Sequence, residues 1–125
     1  MNGFTLDAGG LIALDRKDRR VLVLLDRAKE LGARITIPAT ALAQTIRIPA
    51  RQVMITRLVR QPGTDVCTLD GTDAMKVGLL LARTSTVDIA DAHVVICAQR
   101  SGQPVVTSDP DDLKRLAPEL GLVLV

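Results

Sequence analysis

The chain has 125 residues, of which 47% are hydrophobic, and its formal net charge is +2. These values are typical of one folded domain with a packed core, and they argue against intrinsic disorder. No apolar run approaches the roughly eighteen residues of a membrane helix, and the N-terminal stretch does not read as a signal peptide. We therefore expect a single domain over residues 1–125, a cytoplasmic location and no membrane partner.

Short apolar strands alternate with helices along the chain. The first half is predicted to contain a strand ending at Leu6, a Gly9–Gly10 turn, a helix at 11–14, an amphipathic helix at 19–31, a strand at 35–37 and helices at 38–46 and 50–60. The second half is predicted to contain a strand at 66–69, helices at 72–82 and 88–100, a strand at 104–107, a helix at 111–116 and a strand at 122–125. This alternation indicates a mostly parallel sheet with right-handed crossovers.

Charge is unevenly distributed. Residues 1–64 contain eleven Lys and Arg against five acids, whereas residues 65–125 contain five against nine. The acid-free stretch 31–64 includes Arg47, Arg51, Arg57 and Arg60. A basic surface beside an acidic pocket is typical of an enzyme that holds a polyanion such as RNA. A solvated helix surface, or a patch for an acidic partner protein, explains the same charges.

Aromatic residues are nearly absent, with one Phe and no Trp or Tyr. Stacking of bases on aromatic side chains therefore cannot be the main mode of nucleic-acid binding. If RNA binds, Arg contacts with phosphate, or stacking of Arg on bases, must hold it.

Acids stand at the ends of predicted strands and near the start of an apolar helix. Asp7 follows the first strand, Asp109 follows the fourth, and Asp91 lies early in the helix that Asp88 begins. The carboxyl ends of parallel strands share one edge, where ligands bind, so these acids are expected to converge. Converging carboxylates repel each other unless a cation lies between them. A hard cation such as Mg²⁺ fits such oxygen ligands, which predicts metal-dependent phosphate-ester chemistry.

Each acid also has a structural alternative. Asp7 and Asp88 both have the features of helix N-caps; we favour a metal-ligand role for Asp7 and leave Asp88 open. Asp91 lies inside an apolar helix, where an unpaired acid is costly, so we favour it as a ligand.

The fourth strand is followed by more than one candidate. Either Asp109 or Asp112 can cap the next helix while the other faces the metal. Either Thr107 or Ser108 is placed to orient a carboxylate or a water.

The remaining chemically active side chains carry weaker signals. His93 is the only histidine, and its two-residue offset from Asp91 puts it on another helix face, so a core or surface role is favoured over catalysis. Cys67 and Cys97 are thirty residues apart, with neither a CxxC motif nor a zinc-type spacing to histidine. Cys97 is predicted to be a buried free thiol.

Four stretches together carry a family resemblance: residues 6–14 (LDAGGLIAL), 37–39 (IPA), 88–95 (DIADAHVV) and 104–113 (PVVTSDPDDL). In this order they resemble the PIN-domain ribonuclease family, and within it the VapC-type toxins of bacterial toxin–antitoxin systems. The resemblance implies a three-layer α/β/α fold with a central parallel sheet, and cleavage of RNA that depends on Mg²⁺ or Mn²⁺. It also implies a homodimer and a cognate antitoxin that blocks the active site.

The same resemblance assigns residues. Asp7, Asp91 and Asp109 match the catalytic, metal-binding acids of the family, and Asp112 can supplement Asp109. The chain departs from the family after Pro38, where it has Gln44 in place of the usual glutamate. An amide keeps an oxygen lone pair but loses a negative charge, so metal affinity is expected to fall. Whether Asp15 or Asp88 compensates is open.

Two functions follow from these residues. In the first, the chain is an endoribonuclease toxin in which a metal-activated water cleaves RNA, and Arg47, Arg51, Arg57 and Arg60 hold the RNA backbone. In the second, Gln44 has weakened catalysis, and the chain is a PIN-fold module that binds RNA or a partner protein.

A third class is a phospho-receiver or nucleotide-binding module, which also groups acids around Mg²⁺. It is disfavoured because such a receiver needs a lysine at the end of a late strand, whereas Lys114 falls in a predicted helix.

Overall fold

The computed structural model describes residues 2–125. The strands in this range are Gly3–Leu6 (β1), Arg34–Pro38 (β2), Thr64–Cys67 (β3), Val105–Thr107 (β4) and Leu122–Leu124 (β5). The helices are Ala8–Asp15 (α1), Arg19–Glu30 (α2), Ala39–Thr45 (α3), Val53–Val59 (α4), Gly71–Thr84 (α5), Ile89–Ser101 (α6) and Pro110–Leu116 (α7), with a short 3-10 helix at Pro49–Arg51. The alternation of strands and helices predicted from the sequence is confirmed.

The five strands form one parallel sheet in the order β3-β2-β1-β4-β5. All four residues of β1 are buried, as expected for a central strand covered by helices on both faces. The three-layer α/β/α architecture is thereby confirmed. The chain proceeds outward from β1 to β2 and β3, and then returns to the other side of β1 as β4. Ligands of such sheets bind at this reversal point, outside the carboxyl ends of the strands.

Helix α6 is the central helix of the core. It packs on β1 and β2 and also contacts α3, α5 and α7. Its buried residues are Ala92, His93, Val94, Val95, Cys97 and Ala98. Burying one of its valines contributes about 1.5–3 kcal/mol to folding. Such a helix has little freedom to shift, so it holds whatever side chains project from its first turn at fixed positions. Within residues 2–125, no helix is both long and apolar enough to span a membrane.

The Gly9–Gly10 pair does not form a turn, contrary to the sequence prediction. Both residues lie in the first turn of α1, which begins at Ala8. A Cβ atom on Gly10 would lie 2.5 Å from the Val106 carbonyl oxygen, and one on Gly9 would lie 2.3 Å from the Ser108 hydroxyl oxygen. The missing side chains therefore let the start of α1 approach the end of β4.

Strand β3 is displaced from its predicted position. The apolar stretch at 66–69 suggested the strand, but the structure places it at Thr64–Cys67. Pairing with β2 sets these limits, from Ile35 opposite Thr64 to Pro38 opposite Cys67. Across this pair the Arg34 guanidinium donates to the Asp65 carboxylate at 2.6 Å. Partner strands therefore outweigh the local apolar pattern at this exposed edge.

We expect Gly10→Ala to lower the free energy of unfolding by about 1–3 kcal/mol, because the added methyl group forces α1 away from β4. Gly78→Ala is the matched control, since Gly78 lies in α5 and a methyl group added there would have no atom within 4 Å. That change should raise stability by about 0.5–1 kcal/mol through better helix propensity. Urea unfolding followed by circular dichroism measures both, and equal stability of the two variants would contradict the close approach.

Candidate metal centre

Asp7 joins the central strand to α1. It is the N-cap of α1, and its Oδ1 atom accepts a hydrogen bond from the Gly10 amide at 2.7 Å. Its exposed fraction is only 6%. Burial raises the pKa of Asp7 above its ordinary value, the Thr107 hydroxyl and the Gly10 amide lower it, and the charge of Asp109 raises it again. The side chain therefore caps a helix and places a poorly solvated carboxylate beside another acid, so the two roles considered for it are compatible.

Asp91 lies in the first turn of α6 and is half-buried. Asp88 is the N-cap of α6, and its Oδ1 atom accepts from the Asp91 amide at 2.9 Å. Burial, followed by the charges of Asp88, Asp112, Asp7 and Asp109, raises the pKa of Asp91 to about 6. Four acids are therefore close enough to act on this one carboxylate.

The loop after β4 supplies the remaining acids. Asp109 occupies the N-cap position of α7, but its side chain makes no capping hydrogen bond. Its amide instead donates to the Thr107 hydroxyl oxygen at 3.1 Å, which fixes the turn that leaves the strand. Asp112 follows in the first turn of α7, where the helix dipole favours a negative charge. Neither carboxylate serves as the cap, so both remain available to a ligand.

Asp88, Asp91 and Asp112 line an open cleft, whereas Asp7 and Asp109 are not among its lining residues. A cavity of about 320 Å³ lies between the start of α6 and α7 and is lined by Asp88, Asp91, Asp112 and Arg115, among others. Within residues 2–125, the main causes of the raised pKa values of Asp7 and Asp91 include burial and neighbouring acids but no Lys or Arg. The three carboxylates of the cleft outnumber its one guanidinium, that of Arg115, and this net negative charge is chemically suited to a divalent metal.

The spacing of these oxygens limits how an ion would be held. No three carboxylates within residues 2–125 have oxygen atoms that all lie within 4.8 Å of one another. Mg²⁺ usually binds one or two carboxylates directly and keeps several waters. The carboxylates are therefore too far apart for three of them to bind one ion directly, and an ion held here would keep several water ligands.

Gln44 and the four arginines differ in their relation to this cleft. Gln44 is exposed near the end of α3, a helix that packs against both α1 and α6. Arg47, Arg51, Arg57 and Arg60 are all exposed. The Arg47 guanidinium donates to the carbonyl oxygens of Ala43 and Ile46 at the end of α3. Arg60 lies just before β3, which is an edge strand of the sheet. The acids Asp7 and Asp109 instead follow β1 and β4, on the other side of β2.

Three features of the structure were not predicted from the sequence. Arg115 lines the acidic cleft, although it lies outside the basic stretch. The buried carboxylate of Asp73 pairs with the Arg100 guanidinium, a contact between α5 and α6 that gives no local signal. Cys97 is buried and free, as predicted, but its thiol lies beside His93 and Cys67, a grouping that the sequence spacing of these residues as a whole does not indicate. Only the four-residue step from His93 to Cys97 is a signal for it.

Comparison with known proteins identifies the class. The PIN domain family model matches residues 5–118 of the chain. The protein therefore belongs to the PIN domain family, whose members are nucleases. A comparison with curated protein sequences gave no significant match.

Solved structures show the same fold. VapBC from Salmonella typhimurium in its DNA-bound form is similar with a TM-score of 0.68 at 21% identity over 98% of both chains. VapBC2 from Rickettsia felis, bound to a DNA fragment from its promoter, has a TM-score of 0.64 at 14% identity over 98% of both chains. FitAcB from Neisseria gonorrhoeae has a TM-score of 0.61 at 14% identity over 95% of both chains.

The raised pKa of Asp91 predicts an unusual dependence of stability on pH when metal is removed by a chelator. The folded chain holds the Asp91 proton more tightly than the unfolded chain, whose aspartate has a pKa of about 3.9. Stability therefore falls as pH rises from about 4 to about 6. Asp91→Asn should remove this fall and be more stable than wild type near neutral pH, by on the order of 1 kcal/mol after solvent screening.

Thermal unfolding in chelator at several pH values tests this expectation. The two chains should have the same stability below about pH 4, where the wild-type carboxyl group is neutral. Added Mg²⁺ should stabilise the wild type more than the variant. If Asp91→Asn were the less stable chain near neutral pH, the carboxylate would be part of the stabilising core and not a strained ligand.

Proposed function

We propose that this chain is a metal-dependent endoribonuclease of the VapC toxin type, which cleaves RNA by hydrolysis of a phosphodiester bond. One observation carries the proposal: the Asp7 carboxylate is buried at the end of the central strand, the charge of Asp109 raises its pKa, and the charges of Asp7 and Asp109 contribute to the raised pKa of Asp91. Membership of the PIN domain family supports the same reaction class.

A divalent cation, Mg²⁺ or Mn²⁺, held by Asp7, Asp91 and Asp109 would make a water molecule more acidic and offset charge on the scissile phosphate. The chain's own contribution is to hold the carboxylates in place. The Gly10 amide orients Asp7, and the core helix α6 carries Asp91. Asp112 and Asp88 lie at the rim of the cleft, where they can hold water.

The RNA backbone requires positive charge near this acidic cleft. Arg115 lines the cleft, and Arg47 and Arg51 follow α3, the helix next to α1 and α6. Arg57 and Arg60 lie toward the opposite edge of the sheet, so they would contact RNA only if it extends over α4. We propose that phosphate contacts by arginine provide most of the affinity, since the chain has a single aromatic residue.

A protein partner belongs to this function. The VapBC and FitAcB structures share the fold of this chain. We propose that a cognate antitoxin binds this protein and covers the acidic cleft, and that the toxin itself forms a homodimer. Co-purification of the chain with the product of a neighbouring short reading frame would support this assignment.

We expect purified chain to cleave total bacterial RNA with Mg²⁺ or Mn²⁺ and not with chelator. Asp7→Asn should lower the rate by roughly 100-fold or more, at least the loss typical of changes around metal ligands. An asparagine oxygen still caps α1, so the variant removes the charge and keeps the fold. Asp26→Asn, at an exposed position on α2, is the control and should cleave normally. Unchanged cleavage by Asp7→Asn would refute the assignment of this acid.

A second candidate function rests on Gln44. Its position on α3 is where the family usually has a glutamate, and α3 packs against α1, which follows Asp7, and α6, which carries Asp91. Without that charge the chain is instead a PIN-fold module that binds RNA or a partner protein and cleaves weakly. The two candidates differ in whether the acids that remain hold an ion tightly enough for catalysis.

We expect Gln44→Glu to tighten Mg²⁺ binding by roughly tenfold, the lower end of what one contact at a metal site contributes. Calorimetric titration with Mg²⁺ measures the affinity, and cleavage of total RNA is measured on the same samples. Gln44→Ala is the control and should not tighten binding. Cleavage by wild type at a rate similar to Gln44→Glu favours the nuclease. Cleavage by Gln44→Glu alone favours the binding module, and an unchanged affinity would show that residue 44 is remote from the ion.

A further inference from the structure

A second group of metal-binding side chains lies away from the carboxylates. Cys67 is the last residue of β3, and His93 and Cys97 project from α6. Their ligand atoms, two sulfurs and a ring nitrogen, all lie within 4.8 Å of one another, and no other trio of His, Cys, Asp or Glu in the described part of the chain is as close. The group is therefore a geometric feature of the fold and not a proximity in sequence.

Backbone structure fixes all three positions. His93 and Cys97 are four residues apart on a helix, so they share one face. Cys67 is held opposite Pro38 by the register of β3 against β2. Asp91 is two residues from His93, about 200° around the helix, so α6 presents its acid and its cysteine to different sides.

We propose that Cys67, His93 and Cys97 form a site for a thiophilic divalent cation such as Zn²⁺, separate from the carboxylate site for Mg²⁺. Thiolate and imidazole ligands select such metals, whereas Mg²⁺ and Mn²⁺ prefer carboxylate oxygens. Three protein ligands leave a fourth tetrahedral position for water. His93 and Cys97 are almost completely buried, with exposed fractions of 0% and 1%, while Cys67 is partly exposed and opens the site to solvent.

The hydrogen bonds of His93 define its neutral form. Its Nε2 atom lies 3.1 Å from the Thr68 carbonyl oxygen, which only accepts, so Nε2 carries the hydrogen. The Thr40 hydroxyl, 2.7 Å from Nδ1, then donates to that nitrogen. A neutral imidazole is the form that binds metals. One nitrogen must exchange its hydrogen bond for the ion, and the other keeps its partner, as is usual for metal-binding histidines.

The charges around the two sulfurs are also compatible with a cation. The Arg100 guanidinium donates to the Cys67 sulfur at 3.9 Å. Arg100 is itself paired with the buried carboxylate of Asp73, so this ion pair presents little net charge to the site. Two thiolates and a neutral imidazole would balance a dication. A bound ion would then tie the end of the edge strand β3 to the core helix α6.

Cobalt and cadmium are direct probes, because their thiolate complexes absorb in the near ultraviolet. The purified full chain, reduced and freed of metal, is titrated with Co²⁺ or Cd²⁺ in the presence of excess Mg²⁺. We expect a thiolate-to-metal band that saturates at one equivalent and that Zn²⁺ displaces from the Co²⁺ complex. Cys67→Ser and Cys97→Ser should each weaken binding by at least roughly 10-fold.

Asp91→Asn and Asp109→Asn are the matched controls, and both should keep the band, because they alter only the carboxylate site. Zn²⁺ should also raise the melting temperature of wild type but not that of Cys67→Ser. Because Cys67 is partly exposed, we expect Cys67→Ser to fold even if Cys97→Ser does not. Absence of the band in folded, reduced wild type would overturn the proposal. A band that persists in both Cys variants would also overturn it. The same holds if glutathione disulfide produces a Cys67–Cys97 disulfide and the chain, once reduced again, still binds no Co²⁺.

Discussion

The Asp7 carboxylate is buried at the end of the central strand, and the contact between α1 and β4 is arranged around it. One of its oxygens is committed to the Gly10 amide at 2.7 Å, which ties the acid to the start of α1. Because Gly9 and Gly10 have no side chains, α1 can lie against the end of β4. That contact brings the Thr107 hydroxyl and the Asp109 charge to the same carboxylate. The order of the strands, the cap of α1 and the charge of Asp109 therefore all act on the Asp7 carboxylate.

The ionised carboxylates of Asp7 and Asp91 lower the stability of the fold that contains them. Burial and neighbouring acids raise the pKa values of Asp7 and Asp91, so the ionised forms of both side chains destabilise the folded chain at neutral pH. The core helix α6 tolerates this because Ala92, Val94, Val95 and Ala98 on its inner side are buried in the core. A divalent cation would relieve the repulsion, so the same arrangement that costs stability favours metal binding. Functional sites commonly combine charge strain with a rigid scaffold in this way.

Because of its 3.6-residue period, helix α6 presents Asp91 on one side and His93 and Cys97 on another. Its first turn carries Asp91 toward the cleft, while His93 and Cys97 face β3 and the loop after it. Thr40, which contacts His93, lies on the same helix as Gln44. A metal ion bound by Cys67, His93 and Cys97 would therefore contact the same helix that carries Asp91. The two groups nevertheless differ in donor atoms, since oxygen surrounds one and sulfur and nitrogen form the other.

Local sequence determined the order and type of the secondary structure elements, because apolar periodicity and helix-ending residues act over a few residues. The placement of Asp7 and Asp109 after strands also followed from sequence, since a parallel sheet brings its carboxyl ends to one edge. The tertiary structure alone decided the limits of β3, the function of Gly10 and the position of Arg60 at the far edge of the sheet. The Asp73–Arg100 pair and the grouping of Cys67 with His93 likewise depend on it. These features are contacts between residues distant in sequence, which form only when strand pairing and helix packing bring them together, and no pattern in the sequence near either residue encodes them.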